Sequence, residues 1–171
     1  MDKLALSASV MKFLERNTTQ SFLNATQNFL NLLEMEISVE EIFWRKIHFA
    51  LIDLYSTGFN LGEIELDVTE NTFNSPKKVS PKYPINLKFS KKYWKVMNPL
   101  QIENPIEGDI ALDLEDIYHN LKMELEKIKI GTDEAVEDAL WQLKFSFQTH
   151  WGNHCVDALK ILYYFSHDEI F

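Results

Sequence analysis

Apolar side chains recur every three or four residues over five long stretches of the chain, which is the period of a helix with one buried face. The pattern predicts helices over residues 3–16, 20–35, 39–57, 110–129 and 132–165. Short connections join the first three helices to each other and the fourth to the fifth, as in antiparallel bundles. The sequence therefore predicts an all-α helical bundle of five main helices.

Several helix ends carry residues that favour a start or a stop. Ser38 and Glu41 have the spacing of a capping box, which predicts the start of the third helix, and Gly58 is a natural stop for it. Asp109 and Thr132 are expected to cap the fourth and fifth helices, because both side chains can accept hydrogen bonds from free backbone N–H groups.

Residues 60–104 interrupt this pattern and predict an irregular, Pro- and Lys-rich insertion between the third and fourth helices, with one short helix over residues 90–97. The insertion has no Asp or Glu between Asn71 and Ile102, while its lysines are interleaved with aromatic residues. Such a segment, Lys77–Lys95, is one way to bind an anion or a nucleic acid. The alternative is favoured: it folds over the acidic C-terminal part of the same chain, which supplies an internal partner.

The last predicted helix contains the most unusual polar residues. Its apolar stripe consists of Val136, Leu140, Leu143, Phe147, Trp151, Ala158, Ile161 and Phe165. His154 falls in the middle of this stripe and His150 at its edge, so two imidazoles are expected where the pattern requires apolar groups. A buried imidazole needs polar partners, since leaving it unpaired costs a few kcal/mol. Gly152 between them predicts a bend or the close approach of a neighbour.

The fourth helix offers those partners, because Asp113 and Asp116 form a shoulder beside its apolar stripe and can face the fifth helix. The resulting candidate polar network or ligand site is Asp113, Asp116, Tyr118, His150, Trp151 and His154. In the simpler interpretation the histidines donate to an aspartate or a carbonyl and fix the helix register, and Tyr118 and Trp151 belong to the core. Alternatively the group forms an acid–base or ligand pocket.

A metal site is a further alternative. Two histidines at positions i and i+4 share one helix face, and a carboxylate of Asp113 or Asp116 would complete three ligands with one position open to water. Such a site suits Zn, Mn, Fe or Ni, and the metal would activate water for hydrolysis. The sequence lacks the zinc-protease helix signature, in which a glutamate follows the first histidine. The residues otherwise point to no cofactor.

Composition narrows the class of protein. The 171 residues suit a single domain, and the net charge of −9 disfavours general binding to nucleic acid or to an anionic membrane. The chain has one cysteine, Cys155, which excludes an intrachain disulfide. No apolar run approaches the roughly 20 residues of a membrane span, and residues 1–14 do not resemble a signal peptide. A cytoplasmic location is therefore expected.

Two motifs resemble those of a known bacterial family, domain of unknown function 5063. The first is Asp113–Lys122, which contains Asp-Ile-Tyr, and the second is Phe147–Leu159, which contains His-Trp-Gly-Asn-His followed by Ala-Leu. The resemblance implies an all-helical protein of about this length and the grouping of the two motifs, and it supplies no reaction. Cys155 and the lysine-rich insertion depart from the family pattern.

The first functional hypothesis from the sequence is a non-catalytic protein that acts by binding or regulating another protein. A small acidic chain without a phosphate loop or a nucleophile motif fits that class. The alternatives are a metal-dependent hydrolase that uses His150, His154 and Asp113 or Asp116, and a protein that binds anions through the lysine-rich segment. The residues alone do not decide whether the chain is an enzyme, nor its oligomeric state.

Overall fold

The computed structural model describes residues 6–62 and 91–166. These residues form helices and one small hairpin, and the predicted all-α bundle of five main helices is confirmed. The elements are α1 (Ala8–Leu14), α2 (Asn17–Glu34), α3 (Glu40–Phe59), β1 (Lys92–Lys95), β2 (Ile106–Asp109), α4 (Ile110–Ile128), α5 (Asp133–Ser146), a π turn (Phe147–Trp151) and α6 (Gly152–Phe165). The last three elements follow each other without a break and make up the fifth main helix.

The core lies where the apolar faces of the helices meet. Helix α2 packs on α3, α4 packs on both α5 and α6, and α3 packs on α6. The largest fully buried side chains are Trp151, Tyr118, Phe22, Phe29, Phe43, Leu30, Leu33, Ile47, Leu51, Leu54, Leu61 and Ile110. They come from helices far apart in the sequence, so burial of these faces in one another stabilises the bundle as a unit.

The predicted short helix over residues 90–97 is wrong, because Lys92–Lys95 is the strand β1, paired antiparallel with β2. Tyr93 lies opposite Gly108, and a Cβ atom at position 108 would come within 2.6 Å of the tyrosine ring. The glycine therefore lets the ring lie across the neighbouring strand. Strand β2 runs directly into α4, which places this hairpin at the N-terminus of that helix.

Two predicted caps are confirmed. The Asp109 carboxylate accepts from Ala111 N at 2.9 Å, and the Thr132 hydroxyl accepts from Ala135 N at 3.3 Å. These contacts satisfy backbone donors that have no partner within the helix. Gly131, with φ of 75°, provides the left-handed residue between α4 and α5.

Other predicted helix ends need correction. Helix α3 begins at Glu40 after Val39, without a side-chain cap, so the Ser38–Glu41 capping box does not form. Gly58 does not end the helix, which continues to Phe59; a Cβ atom at Gly58 would lie 3.0 Å from the Trp151 ring. This glycine therefore serves close packing of two helices. The first helix is shorter than predicted, spanning Ala8–Leu14, and residues 1–5 lie outside the described part.

The predicted continuous helix over residues 132–165 is interrupted by the π turn. A π turn accommodates one more residue than an α turn and is compatible with the hydrogen-bond ladder on both sides. Gly152 closes it, and a Cβ atom at this position would lie 2.2 Å from the carbonyl oxygen of Phe147. The glycine is thus required by the backbone of its own helix. The sequence had predicted a bend or the close approach of a neighbour at this position.

The π turn also changes which side of α6 faces the core. Each residue advances a helix by about 100°, so an extra residue rotates everything that follows. Cys155, which falls off the predicted stripe, is 0% exposed, whereas His154 is only partly buried and His150 is exposed. The prediction that His154 occupies the centre of the buried face is therefore wrong by one position, and the imidazole lies at the edge of the core.

Candidate functional site

Four of the predicted site residues come together where α4 crosses the start of α6. Asp113 and Asp116 lie in the first two turns of α4, His150 in the π turn and His154 in the first turn of α6. His154 Nδ1 lies 2.7 Å from Asp113 Oδ1, and His154 Nε2 lies 3.6 Å from Asp116 Oδ2. The His154 ring therefore lies between the two carboxylates, with one nitrogen directed to each.

Asp113 is the buried end of this group and is 3% exposed. Its Oδ2 accepts a 2.5 Å hydrogen bond from the Tyr93 hydroxyl, and Lys95 Nζ lies 3.5 Å from its Oδ1. A carboxylate can only accept hydrogen bonds, so His154 Nδ1 must carry the proton in their shared contact. In the neutral imidazole this leaves the lone pair on Nε2, directed towards Asp116.

The hydrogen bond that His154 Nδ1 donates to Asp113 is the main reason that the pKa of His154 is raised above its usual value. The negative charges of Asp113 and Asp116 act in the same direction, while partial burial and the nearby positive charge of Lys95 oppose them. A carboxylate next to an imidazole favours the protonated form of the ring. The protonated form of His154, which carries its second proton on Nε2, is therefore favoured next to these carboxylates.

His150 brings a second imidazole to the same place. The centroids of the His150 and His154 rings are 4.8 Å apart and their planes meet at 64°. Asp116, His150 and His154 each offer one potential ligand atom, and these three atoms lie within 4.8 Å of one another. Asn120 Nδ2 lies 3.3 Å from His150 Nδ1 and donates to the backbone oxygen of Asp116 at 2.8 Å. This amide connects the α4 backbone to the exposed histidine.

The other two predicted site residues lie elsewhere. The Tyr118 hydroxyl donates to Glu34 Oε1 on α2 at 2.6 Å, and burial together with this bond raises the pKa of the tyrosine. Trp151 is fully buried, stacked on Phe22 with ring centroids 6.1 Å apart and in edge contact with Phe147. Both aromatics thus belong to the packing between helices, as in the simpler interpretation of the sequence.

Sequence reasoning did not include Tyr93, Lys95 and Asp157 in the site. Lys95 Nζ donates to Asp157 Oδ2 at 2.8 Å and approaches Asp113, so the hairpin and α6 meet at this lysine. Tyr93 and Lys95 are two residues apart on β1, and alternate residues of a strand face the same side. That spacing would have grouped them, but only after β1 was recognised as a strand.

The described lysines of the basic segment pair within the chain. Lys91 lies 3.3 Å from Glu40, Lys92 forms an ion pair with Glu107, and Lys95 contacts Asp113 and Asp157. Lys92 and Lys95 thus pair with the acidic C-terminal part that the charge distribution suggested, whereas Lys91 pairs with Glu40 at the start of α3. The remaining lysines of the predicted segment, Lys77, Lys78, Lys82 and Lys88, lie outside the described residues.

Cys155 follows His154 in the sequence but does not join the site. Its side chain is 0% exposed, and burial raises the pKa of its thiol far above the ordinary value. Reactive cysteines are exposed and have a lowered pKa. An activated thiol beside the two histidines is therefore excluded.

Comparison with known proteins supports the grouping of these motifs. Residues 13–168 match the family model described as domain of unknown function (DUF5063). The chain belongs to this family. The match includes both α4 and α6, so the resemblance noted from the Asp113–Lys122 and Phe147–Leu159 motifs is confirmed and extends over nearly the whole DUF5063 chain.

The fold of this DUF5063 chain is similar to the crystal structure of protein BF1032 from Bacteroides fragilis. The two share 19% sequence identity, the match covers 89% of this chain and 94% of that one, and the TM-score is 0.67. At this identity the likeness concerns the fold alone. No curated protein matches the chain. Within residues 6–62 and 91–166, none of the helices has the length and apolar character needed to cross a membrane.

Proposed function

We propose that this protein binds a divalent transition-metal ion through Asp116, His150 and His154. The observation that carries the proposal is the convergence of three potential ligand atoms within 4.8 Å. Two imidazole nitrogens and one carboxylate oxygen are typical ligands of zinc and related ions, at bond lengths of about 2.0–2.2 Å. The His150 side chain is exposed and the Asp116 side chain is half-exposed, so both can adjust their positions around an ion.

Asp113 supports the proposal because it contacts the ring nitrogen of His154 that would not bind the metal. Its 2.7 Å contact with His154 Nδ1 fixes the ring orientation and leaves Nε2 to meet a cation. Histidines that bind metals commonly donate their other ring N–H to a carboxylate in this way. The two aspartates thus have different roles: Asp116 is the ligand, and Asp113 positions His154.

A protein site with three ligands leaves a fourth position for water, as in catalytic rather than structural zinc sites. If an ion is held by Asp116, His150 and His154, it would supply Lewis acidity, which lowers the pKa of water. Metal-assisted hydrolysis is therefore the class of reaction that follows from this ligand set.

The test is metal binding by full-length protein prepared without a histidine tag. After equilibrium dialysis against Zn²⁺, elemental analysis should find close to one bound ion per chain in excess of the ion in the surrounding buffer. The variants His150→Ala, His154→Ala and Asp116→Asn should each lose at least about tenfold in affinity. His119→Ala is the matched control, because His119 is 42% exposed, lies on α4 and pairs with Glu115. Less than a tenth of an equivalent in the wild type, with the same melting temperature in chelator, would contradict the proposal.

A second candidate is the non-catalytic protein-interaction role expected from the sequence. It is favoured by an apolar stripe along α3, formed by Ile42, Phe49, Ile52 and Phe59, of which Phe49 is 66% and Phe59 67% exposed. Exposed apolar patches often mark surfaces that bind other proteins. A photo-crosslinker at Phe49 should give a specific adduct in cells that Phe59→Glu abolishes. The same adduct from a crosslinker at Leu112 on α4 would contradict this role.

A further inference from the structure

Lys95 places a positive charge next to Asp113, the carboxylate that contacts the proposed metal ligand His154. Its side chain is only 18% exposed, and its Nζ lies 3.5 Å from Asp113 Oδ1, the same oxygen that contacts His154 Nδ1 at 2.7 Å. On its other side it donates to Asp157 Oδ2 at 2.8 Å. The ammonium group is thus held between two carboxylates and shares one of them with the imidazole.

This placement has two effects on a cation bound at His154 Nε2. Lys95 repels a divalent ion, and a partly buried charge is screened by salt much less than an exposed one. It also competes with His154 for the electron density of Asp113 Oδ1, which weakens the carboxylate as a support for the ring. Asp157 opposes both effects, because it draws the ammonium away from Asp113 and contributes a negative charge.

We propose that Lys95 is a positioning residue that limits the metal affinity of the Asp116–His150–His154 site, and that Asp157 is its anchor. This inference rests on the proposed metal-binding function. Lys95 touches none of the three ligands and acts through Asp113. The built-in positive charge keeps the site exchangeable, so that the ion is loaded and released instead of being a permanent part of the fold.

A purely structural role for Lys95 predicts the opposite result. If the lysine only attached the hairpin to the helices, its removal would loosen Tyr93 and Asp113 and weaken metal binding. If its charge limits affinity, its removal strengthens binding. At low ionic strength and at the dielectric constant of water, repulsion between a unit charge and a divalent ion about 9 Å apart corresponds to roughly fivefold in affinity. The sign of the change therefore separates the two roles.

The experiment measures Zn²⁺ affinity of the full chain by competition with a chromophoric chelator at constant pH and low ionic strength. Lys95→Met and Lys95→Gln should each bind about fivefold more tightly than the wild type. Lys95→Arg keeps the charge and should bind like the wild type. Lys92→Met is the matched control, because Lys92 lies on the same strand and pairs with the exposed Glu107. It should change affinity less than about twofold.

Asp157→Asn provides the complementary change. It removes the anchor and one negative charge, so it should weaken binding, and the double variant Lys95→Met/Asp157→Asn should return close to the wild-type affinity. The two neutral variants, Lys95→Met and Lys95→Gln, are both measured so that the result does not depend on one variant that misfolds. Circular dichroism checks the fold of each variant. Unchanged or weaker binding by both neutral variants, with normal binding by the wild type, would overturn the role of Lys95 alone. Absence of binding by the wild type and by every variant would overturn the metal site and this inference together.

Discussion

Two clusters of charged side chains on α4 are alike in composition and differ in how completely they are closed. Near the end of the helix, Lys127 Nζ lies 2.9 Å from Glu124 Oε2 and 2.8 Å from Asp138 Oδ2, and the Glu124 and Lys127 side chains are almost fully buried. Near its start, Asp113 is equally buried, but its partner His154 extends outwards to the half-exposed Asp116. We call these the closed cluster and the open cluster.

The difference indicates what distinguishes a structural ion pair from a candidate site. In the closed cluster the one cation contacts both carboxylates, and burial of the Glu124 and Lys127 side chains hides this contact from other ligands. In the open cluster the contact with Asp113 uses only one nitrogen of His154 and leaves the other beside Asp116 and His150. Burial of a charge is therefore a poor guide to function, and an unused ligand atom on an oriented ring is a better one.

The largest effect on stability is expected from Lys127→Met. This change leaves Glu124 and Asp138 without their shared cation, and an uncompensated buried charge lowers the free energy of unfolding by about 3–5 kcal/mol. Urea denaturation at neutral pH measures the change. Lys129→Met is the control, since Lys129 pairs with Glu126 at the exposed surface and its loss should cost about 0–1 kcal/mol. Equal effects of the two changes would show that the closed cluster does not stabilise the fold.

A smaller loss is expected from His154→Ala in the open cluster. Asp113 loses the imidazole but keeps its contacts with Tyr93 and Lys95, so the free energy of unfolding should fall by about 1–3 kcal/mol. Thermal and urea denaturation at the same pH measure this. A loss as large as that of Lys127→Met would mean that the open cluster is as indispensable to the fold as the closed one.

The pH dependence of stability separates the clusters further. Burial raises the pKa of Glu124 above its unfolded value of 4.5, although Lys127 opposes the shift. The folded chain therefore holds this proton more tightly than the unfolded chain does. Its contribution to stability is complete below pH 4.5 and is lost as the pH rises through the folded-state pKa.

Glu124→Gln should remove that part of the pH dependence, worth about 1.4 kcal/mol for each unit of pKa shift. The measurement is the difference in unfolding free energy between wild type and variant, followed upwards from about pH 4. A constant difference would mean that folding does not shift the pKa of Glu124, and a difference that grows in favour of the wild type as the pH rises would mean that folding lowers it.

The smallest effect on stability is expected from His150→Ala. His150 is exposed and its contact with Asn120 is long, at 3.3 Å, so the free energy of unfolding should change by less than about 0.5 kcal/mol. The same variant should lose metal binding. His150→Ala should therefore affect metal binding without affecting stability, whereas Lys127→Met in the closed cluster should affect stability alone.

The sequence predicted those parts of the fold that depend on neighbouring residues. The helical period placed Leu114, Ile117 and Leu121 on the buried face of α4, and the caps Asp109 and Thr132 follow from local hydrogen bonding. The pairing of Asp113 with His154 was also within reach, because a short connection makes the last two main helices neighbours.

Some local predictions were also wrong, since the Ser38–Glu41 capping box does not form and Gly58 does not end α3. The larger failures arise where distant residues decide the local structure. Residues Lys92–Lys95 form a strand only because Ile106–Asp109 lies beside them, and no local pattern contains that information. Without the strand, Tyr93 and Lys95 could not be placed against Asp113. The error in the phase of His154 has a different origin, since it comes from one residue accommodated in the π turn.

The π turn makes the geometry of the open cluster depend on the number of residues between Ser146 and Gly152 as well as on their identity. If the same residues formed an uninterrupted α-helix, α6 would be turned by about 100° relative to α5, and His154 would replace Cys155 in the core. Deleting one residue within the π turn should instead give an α-helix that keeps Cys155 in the core and His154 beside Asp113. Alanine scanning cannot detect this dependence, because every substitution preserves the count.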